Sequence, residues 1–172
     1  MLWKNHVAAS VFIKFAADAA YRIFSPDVPV IVSYFYEMPE RISPAFWNVA
    51  VWPIFALGVL FPDIDSRESL IGRILYIPIE HRTWTHCWLP VALLVIFSSR
   101  FIWLRVFVLG YSLHIAEDAF SYGGIRFFYP LNVGVRGIYR TGKPSEQVFT
   151  AILIGASIAI LYFLSPVKLR VV

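Results

Sequence analysis

The segment between residues 62 and 118 decides how this sequence is interpreted. It contains three short polar motifs, PDID (residues 62–65), HRTWTH (81–86) and LHIAED (113–118), in an otherwise strongly apolar chain. Carboxylates and imidazoles are costly to place beside lipid unless they have partners or a function. The three motifs therefore predict a shared polar site enclosed by apolar helices.

The composition is that of an integral membrane protein. Of the 172 residues, 59% are hydrophobic and only 15% are charged, whereas soluble domains carry about a quarter charged residues. Aromatic residues make up 17%, which suits the interface between membrane and water. We expect an all-α membrane bundle and a single domain over residues 1–172. The single cysteine, Cys87, excludes an intramolecular disulfide and a multi-cysteine zinc site.

The positive charge does not indicate nucleic-acid binding. The formal net charge is +4, but the basic residues are scattered singly between apolar runs and form no stripe that could follow a phosphate backbone. In such a chain, lysine and arginine flank membrane helices and contact lipid headgroups. We expect a membrane lipid or a lipid-linked molecule as ligand, with a membrane protein or a second copy of the chain as a further possible partner.

The apolar runs predict about five helices. The expected ranges are 6–24, 44–61, 86–97, 101–120 and 148–165. Residues 30–43 fit a loop or short helix in the interface, and residues 66–80 fit a loop with a short amphipathic helix. If successive helices cross the membrane in opposite directions, the turn at 98–100 lies on the far side. Lys14 and Asp18, four residues apart, can pair on one face of the first helix.

This zigzag brings the polar motifs to one membrane face. The expected set contains every histidine of the chain and three aspartates: His6, Asp63, Asp65, His81, His86, His114 and Asp118. A small excess of arginine and lysine on that face favours a cytoplasmic orientation. We therefore expect a metal site where the bundle meets water.

Spacing supports this hypothesis. His114 and Asp118 are four residues apart, so on a helix both can contact one ion or hydrogen-bond to each other. Asp63 and Asp65 can project the same way from a turn, although Asp65 also fits a helix cap. Thr83 and Thr85 are candidate caps for the third helix. Carboxylates combined with imidazoles suit a divalent ion such as Zn, Mn or Fe, and we favour Zn or Mn.

Such an ion polarises a phosphoryl or acyl oxygen and makes water nucleophilic. Asp65 and His86 are the members of the set that we expect in catalysis. Glu80 and Glu117 are spare carboxylates that could act as general base or hold the ligands, and each also fits a solvated surface acid. Arginine forks match phosphate oxygens; the candidates for a substrate phosphate, or for ordinary headgroup contact, are Arg82, Arg126, Arg136 and Arg140.

At these residues the sequence resembles the YdjM-like family of bacterial and archaeal inner-membrane proteins, described as membrane-bound metal-dependent hydrolases. The matching motifs are Leu57-Gly58 before PDID, the HRTWTH segment, Gly110-Tyr111 before His114 and Asp118, Gly124 before Phe128-Tyr129-Pro130, and Asn5-His6 near the start. The core of the resemblance covers residues 57–131. It implies a multi-pass protein of the cytoplasmic membrane and a metal site formed by six residues, with His6 as a further candidate. The six residues are Asp63, Asp65, His81, His86, His114 and Asp118.

Three functional hypotheses follow. The first is a metal-dependent hydrolase that cleaves a phosphoester or ester bond of a lipid or lipid-linked substrate at the bilayer surface. The second is a non-catalytic membrane subunit in which a structural metal site supports docking to a partner complex. The third, a metal or proton transporter, is less favoured, because a conduction path should continue through the membrane midplane, where we expect only Lys14 and Asp18.

Overall fold

The computed structural model describes residues 1–24, 40 and 42–164, and the part of the chain it describes is all-helical. Five α-helices follow one another: α1 (Trp3–Phe24), α2 (Pro44–Leu60), α3 (Trp88–Ser98), α4 (Ile102–Ala119) and α5 (Pro144–Leu164). The prediction of an all-α chain with five helices is confirmed. The expected interface segment at 30–43 falls almost wholly outside the described residues.

Local signals explain where the helices begin. Ser43 caps α2, because its side chain accepts a hydrogen bond from the Phe46 amide at 3.3 Å, and Pro44 occupies the first turn, where its missing donor is harmless. After α2 the chain continues as a 3₁₀ turn, Phe61–Asp65, which holds the PDID motif. A second 3₁₀ turn, Trp84–His86, precedes α3.

Within the described residues, two helical segments are long and apolar enough to cross a membrane. They are Pro44–Asp65, with 22 residues and a mean hydropathy of 1.6, and Pro144–Leu164, with 21 residues and a mean hydropathy of 2.1. Much of the apolar surface of α5 is exposed, including Tyr162 and Phe163 near its end. These side chains need an apolar surrounding, which lipid would provide.

Helix α3 is the shortest of the five. It has 11 residues, and at 1.5 Å per residue it is about 16 Å long, roughly half of the hydrocarbon thickness of a bilayer. The chain turns at residues 99–100, between α3 and α4, and the location of this turn on the far side of the membrane stays a prediction. Residues 66–80 also differ from expectation, because they form consecutive turns without an amphipathic helix.

Helices α2 and α4 form the centre of the molecule. Their buried contact contains Trp47, Val51, Phe55, Val59 and Val106. Two glycines allow the backbones to meet: a Cβ on Gly58 would lie 2.1 Å from the Phe107 carbonyl oxygen, and one on Gly110 would lie 2.3 Å from that of Phe55. Small residues at such crossings are typical of packed membrane helices. This close contact fixes the end of α2 beside the second half of α4.

Helices α1 and α5 complete the arrangement around this pair. Ala9 of α1 packs with the buried Tyr139 and with Phe149 and Leu153 of α5. The predicted pair in α1 is present, with Lys14 Nζ 2.7 Å from Asp18 Oδ2. Between α4 and α5 the chain makes only two isolated β-bridges, Ser121 with Tyr139 and Ile125 with Val135.

Candidate metal centre and the adjoining cavity

Four of the predicted ligands meet at one point. Asp63, His86, His114 and Asp118 are all buried, and each offers a nitrogen or oxygen atom within 4.8 Å of the others. Asp63 Oδ1 lies 3.6 Å from His86 Nε2 and 3.5 Å from His114 Nε2. Asp118 Oδ2 lies 3.6 Å from the first nitrogen and 4.0 Å from the second. We call these four residues the His/Asp cluster.

The N···O distances within the His/Asp cluster fit ligands of a shared ion better than a hydrogen-bonded network. Nitrogen and oxygen atoms held about 2.1 Å from a tetrahedral ion are about 3.4 Å apart, whereas hydrogen-bonded N···O pairs are about 2.9 Å apart. The four ligand atoms therefore have nearly the spacing that an ion between them requires. The His/Asp cluster could hold a metal ion.

Hydrogen bonds to the opposite ring nitrogens determine how the imidazoles are protonated. His114 Nδ1 lies 2.7 Å from the carbonyl oxygen of Val59, which can only accept, so this nitrogen donates. His86 Nδ1 lies 2.8 Å from Thr85 Oγ1. The Thr85 hydroxyl gives its hydrogen to Asp65 Oδ2 at 2.6 Å, so its oxygen accepts from His86. In both rings Nε2 is left with a free electron pair.

His6 has the same arrangement. Its Nδ1 lies 2.6 Å from Glu117 Oε2, so this nitrogen donates its hydrogen to the carboxylate and Nε2 is the ring nitrogen that faces Asp118. The ring is stacked on His114 with 4.0 Å between centroids, and Nε2 lies 3.3 Å from Asp118 Oδ1. His6 thus lies beside the His/Asp cluster, against the second oxygen of Asp118.

Three buried imidazole nitrogens consequently have no hydrogen-bond partner in the described part of the chain: His6 Nε2, His86 Nε2 and His114 Nε2. Buried polar atoms are nearly always satisfied, so each exception needs an explanation. All three nitrogens face Asp63 or Asp118. An ion shared between nitrogens and carboxylates would satisfy both kinds of group, since imidazole and carboxylate are both ligands of divalent metal ions.

A second group adjoins the first. Asp65, His81 and His86 also bring ligand atoms within 4.8 Å of one another. His81 Nδ1 lies 2.7 Å from Asp65 Oδ1, and the side chain is 40% exposed. Its Nε2 lies 4.0 Å from Asp63 Oδ1. Burial acts to lower the pKa of His81, but the hydrogen bond and charge of Asp65 outweigh it and raise the pKa above its ordinary value.

His86 differs from His81 because it is fully buried. Burial lowers the pKa of the His86 imidazole below its ordinary value, and the neighbouring His114 acts in the same direction. The neutral ring is the form that coordinates metals. The environment of His86 therefore favours the state required of a ligand.

The two predicted catalytic glutamates lie in different places. Glu117 is buried and accepts hydrogen bonds from His6 and from Ser10 Oγ, the latter at 2.8 Å, so it orients His6. Glu80 is exposed and lies 3.4 Å from Arg126 Nη1. Of the two, only Glu80 is open to an incoming molecule.

A cavity of about 290 Å³ opens beside the His/Asp cluster. Three of the four predicted phosphate-binding arginines line it, Arg82, Arg126 and Arg136, together with Glu80 and His81. Arg140 is not among the lining residues; its guanidinium stacks over the ring of Tyr122, 4.9 Å from the centroid. The cavity therefore carries positive charge and adjoins the His/Asp cluster through His81 and Arg82, which lie 4.0 Å from Asp63 and 3.1 Å from Asp118.

Arg82 connects the cavity to the cluster. Its guanidinium contacts Asp118 Oδ2 at 3.1 Å and Ser121 Oγ at 3.1 Å. The backbone of Arg82 has φ = 64°, a left-handed conformation that is uncommon for a residue with a side chain and often marks a functional site. The side chain lies between Asp118 and the cavity.

Several residues that support the site were not identified from the sequence. Thr85 and Thr83, the candidate caps of the third helix, make other contacts. Thr85 links Asp65 to His86, and the Thr83 hydroxyl donates to the Glu80 carbonyl. Ser10 carried a usable signal, because it follows His6 by four residues and so lies on the same helix face. The buried Glu146 accepts hydrogen bonds from Leu2 N, Asn5 Nδ2 and Gly142 N at 2.6–2.7 Å.

Comparison with known proteins identifies the family. The family model described as "YdjM inner membrane protein" matches residues 1–170. The chain belongs to this family. The "Uncharacterized protein YvsG" of Bacillus subtilis (strain 168) is 32% identical over 121 residues, which cover 63% of this chain and 74% of YvsG. No solved structure matches the chain. The family and the two apolar helices together support a membrane location.

Proposed function

We propose that this protein is a membrane-bound, metal-dependent hydrolase that cleaves a phosphoester or ester bond of a lipid or lipid-linked substrate at the bilayer surface. The observation that carries the proposal is the set of three buried Nε2 atoms without partners, which face Asp63 and Asp118. A polar cluster that served stability alone would be expected to satisfy these nitrogens internally. We also propose that the chain is a multi-pass protein of the cytoplasmic membrane.

The chemistry that a divalent ion supplies in such a site is polarisation of the substrate oxygen and activation of water. The surrounding residues have separate roles. Thr85 and Val59 hold the rings of His86 and His114 with Nε2 facing the carboxylates. Asp65 holds His81 at the cavity wall, where His81 Nε2 could exchange a proton with the substrate or water. Arg82 holds Asp118 and adds positive charge beside the reacting group.

The test begins with metal analysis of the purified full-length protein. We expect a bound divalent ion, and we expect its loss in His86→Ala and Asp118→Ala. The matched control is Glu68→Gln, which neutralises an exposed acid on the segment that follows PDID. The control should retain the ion. Metal retained by both cluster variants would refute the metal centre.

Turnover of a panel of phospholipids and polyprenyl phosphates then separates an enzyme from a structural protein. Hydrolysis that requires the added ion and is abolished in both cluster variants would support the hydrolase. Metal retention in the wild-type protein without hydrolysis of any panel member would favour the alternative, a non-catalytic subunit in which the ion stabilises the bundle for docking to a partner.

A further inference from the structure

The wall of the cavity contains a repeated three-residue pattern. Gly124-Ile125-Arg126 and Gly134-Val135-Arg136 share the order glycine, β-branched residue, arginine. The two copies pair antiparallel, because Ile125 and Val135 each donate an amide hydrogen bond to the other's carbonyl at 2.9 Å. We call residues 124–136 the arginine ribbon.

Antiparallel pairing places each arginine opposite a glycine. The residues next to the Ile125–Val135 pair project to the other face of the ribbon, so Arg126 lies opposite Gly134 and Arg136 lies opposite Gly124. All four of these outer residues line the cavity. One face of the ribbon thus presents two guanidinium groups and two positions without side chains.

The structure requires glycine at both positions. Gly124 has φ = +64°, and a Cβ there would lie 2.2 Å from the Val135 carbonyl oxygen. A Cβ on Gly134 would lie 2.6 Å from the Ile125 carbonyl oxygen. A side chain at either position would displace the ribbon and occupy space between the arginines. The glycines therefore maintain both the pairing and the open volume.

Both ribbon arginines are available to bind a ligand. Within the described residues Arg136 makes no hydrogen bond or ion pair. Arg126 is paired only with Glu80, at 3.4 Å, and both side chains are about half exposed or more. Exposed ion pairs contribute little free energy, so an anion in the cavity can displace this contact. Arg82, in contrast, is already bound to Asp118 and Ser121.

We propose that Arg126 and Arg136 form a clamp for the phosphate group of a membrane lipid and hold it beside the His/Asp cluster. The inference rests on the proposed function. Of the two bonds proposed there as cleaved, a phosphoester or an ester, it selects the phosphoester. Guanidinium forks bind phosphate oxygens in pairs, with a geometry that a neutral ester group does not match. The clamp borders the cluster through His81 and Arg82, which line the same cavity and lie 4.0 Å from Asp63 and 3.1 Å from Asp118.

The tip of the ribbon indicates that the phosphate belongs to a lipid. Residues 127–133 turn back between the two arginines and expose apolar side chains: Phe128 is 47% exposed, Val133 55% and Leu131 66%. Exposed apolar residues next to basic ones suit the boundary between headgroups and acyl chains. A tip inserted at that depth would place the arginines at the level of lipid phosphates. A free, water-soluble phosphate has no acyl chains that could contact the exposed apolar side chains of this tip.

The clamp is tested by ligand binding to the full-length protein in detergent, measured by calorimetry. The probes are a short-chain phosphatidic acid, inorganic phosphate, and a short-chain diacylglycerol that lacks the phosphate. The test variant is Arg126→Gln/Arg136→Gln. The matched control is Arg67→Gln/Arg73→Gln, which removes two positive charges from the exposed loop 66–79. Metal content is measured on every variant.

We expect the ribbon variant to bind phosphatidic acid roughly a hundredfold more weakly, because it loses a charged hydrogen bond from each of two arginines and each such bond contributes about tenfold in affinity. The control should stay within about twofold, since exposed charges contribute little. Arg126→Lys/Arg136→Lys should recover only part of the affinity, because lysine cannot form the fork. The diacylglycerol should bind much more weakly than phosphatidic acid.

Three results would overturn the inference. Equal affinity of the ribbon variant and the wild type for phosphatidic acid would exclude the clamp. Inorganic phosphate binding as tightly as phosphatidic acid would exclude the lipid as the source of the phosphate, and diacylglycerol binding as tightly would exclude the phosphate as the recognised group. The metal measurement distinguishes failure of this inference from failure of the proposed function. If the wild-type protein contains no metal but binds phosphatidic acid more tightly than the ribbon variant does, the metal-dependent hydrolase is refuted and the clamp is still supported.

Discussion

His114 Nδ1 lies 2.7 Å from the carbonyl oxygen of Val59. This contact joins the two central helices directly behind the His/Asp cluster, since Val59 is in the last turn of α2 and His114 is in α4. It requires a close approach of the backbones, which Gly110 permits one helical turn before His114. The orientation of His114 Nε2 toward the His/Asp cluster therefore depends on how closely two helices pack.

We predict that Gly110→Ala both destabilises the protein and weakens metal binding. The added methyl group would lie 2.3 Å from the Phe55 carbonyl oxygen, so α2 must shift and the Val59 carbonyl moves away from His114. Overpacking of this kind lowers the free energy of unfolding by about 1–3 kcal/mol. Chemical unfolding in detergent and metal titration measure the two effects.

Gly155→Ala in α5 is the matched control. A Cβ at Gly155 meets nothing within 4 Å, and replacing a helical glycine by alanine stabilises by roughly 0.5–1 kcal/mol. The control should leave metal affinity unchanged. If Gly110→Ala behaved like the control, the close crossing would not be what orients His114.

Thr85→Val should weaken metal binding without unfolding the protein. Valine keeps the shape of threonine but loses the hydroxyl that links Asp65 to His86 Nδ1. Loss of a group that orients a ligand typically costs about 10–100-fold in metal affinity. Competition with a chelator of known affinity provides the measurement.

The comparison for this variant is Thr83→Val in the same turn. The Thr83 hydroxyl donates to the Glu80 carbonyl and does not contact the His/Asp cluster. Loss of the Thr83 hydroxyl should change the free energy of unfolding but have little effect on metal affinity. Equal affinities for the two variants would argue against Thr85 as the residue that orients His86.

Metal binding should weaken as the pH falls from 7 to 5. An ion competes with protons for the Nε2 atoms, and the ordinary pKa of histidine is about 6.5. Burial lowers the pKa of His86, so this ring remains neutral and able to bind below the pH at which a free histidine is protonated. The loss of affinity should therefore continue below pH 6. Equilibrium dialysis across this range is the test, and an affinity independent of pH would contradict imidazole coordination.

Glu146→Ala should destabilise the contact between α1 and α5. The carboxylate accepts from three separate N–H groups at 2.6–2.7 Å, and a hydrogen bond typically contributes about 1 kcal/mol to stability. We expect a loss of about 3 kcal/mol or more in the free energy of unfolding. Glu146→Gln, which keeps one acceptor oxygen, should lose clearly less, and identical losses would mean that packing rather than hydrogen bonding is responsible.

Much of the fold could be predicted from the sequence because apolar runs identify helices without knowledge of their neighbours. All five predicted helices are present in the described residues, with bounds that differ by up to four residues. The short third run also forms its predicted helix, which ends at Ser98, one residue beyond the expected end, and the chain returns as α4.

The types of residue at the candidate site were also determined by the sequence. Aspartates and histidines in a strongly apolar chain, at spacings compatible with a common ligand, indicate a polar centre whatever the details of packing. Only the tertiary structure decided which atom of each side chain faces that centre. The orientation of an imidazole depends on the group that binds its other nitrogen, and those groups are Glu117 for His6 and Val59 for His114, 111 and 55 residues away.

The four arginines also differ in ways that only the tertiary structure decided. From the sequence alone they are equivalent positive charges near the motifs: Arg82, Arg126, Arg136 and Arg140. The backbone pairing of Ile125 with Val135 turns two of them toward one cavity, the contact with Asp118 commits Arg82 to the cluster, and stacking on Tyr122 holds Arg140 away from the cavity. These differences arise from contacts between segments that are distant in sequence, and local residue patterns do not specify such contacts.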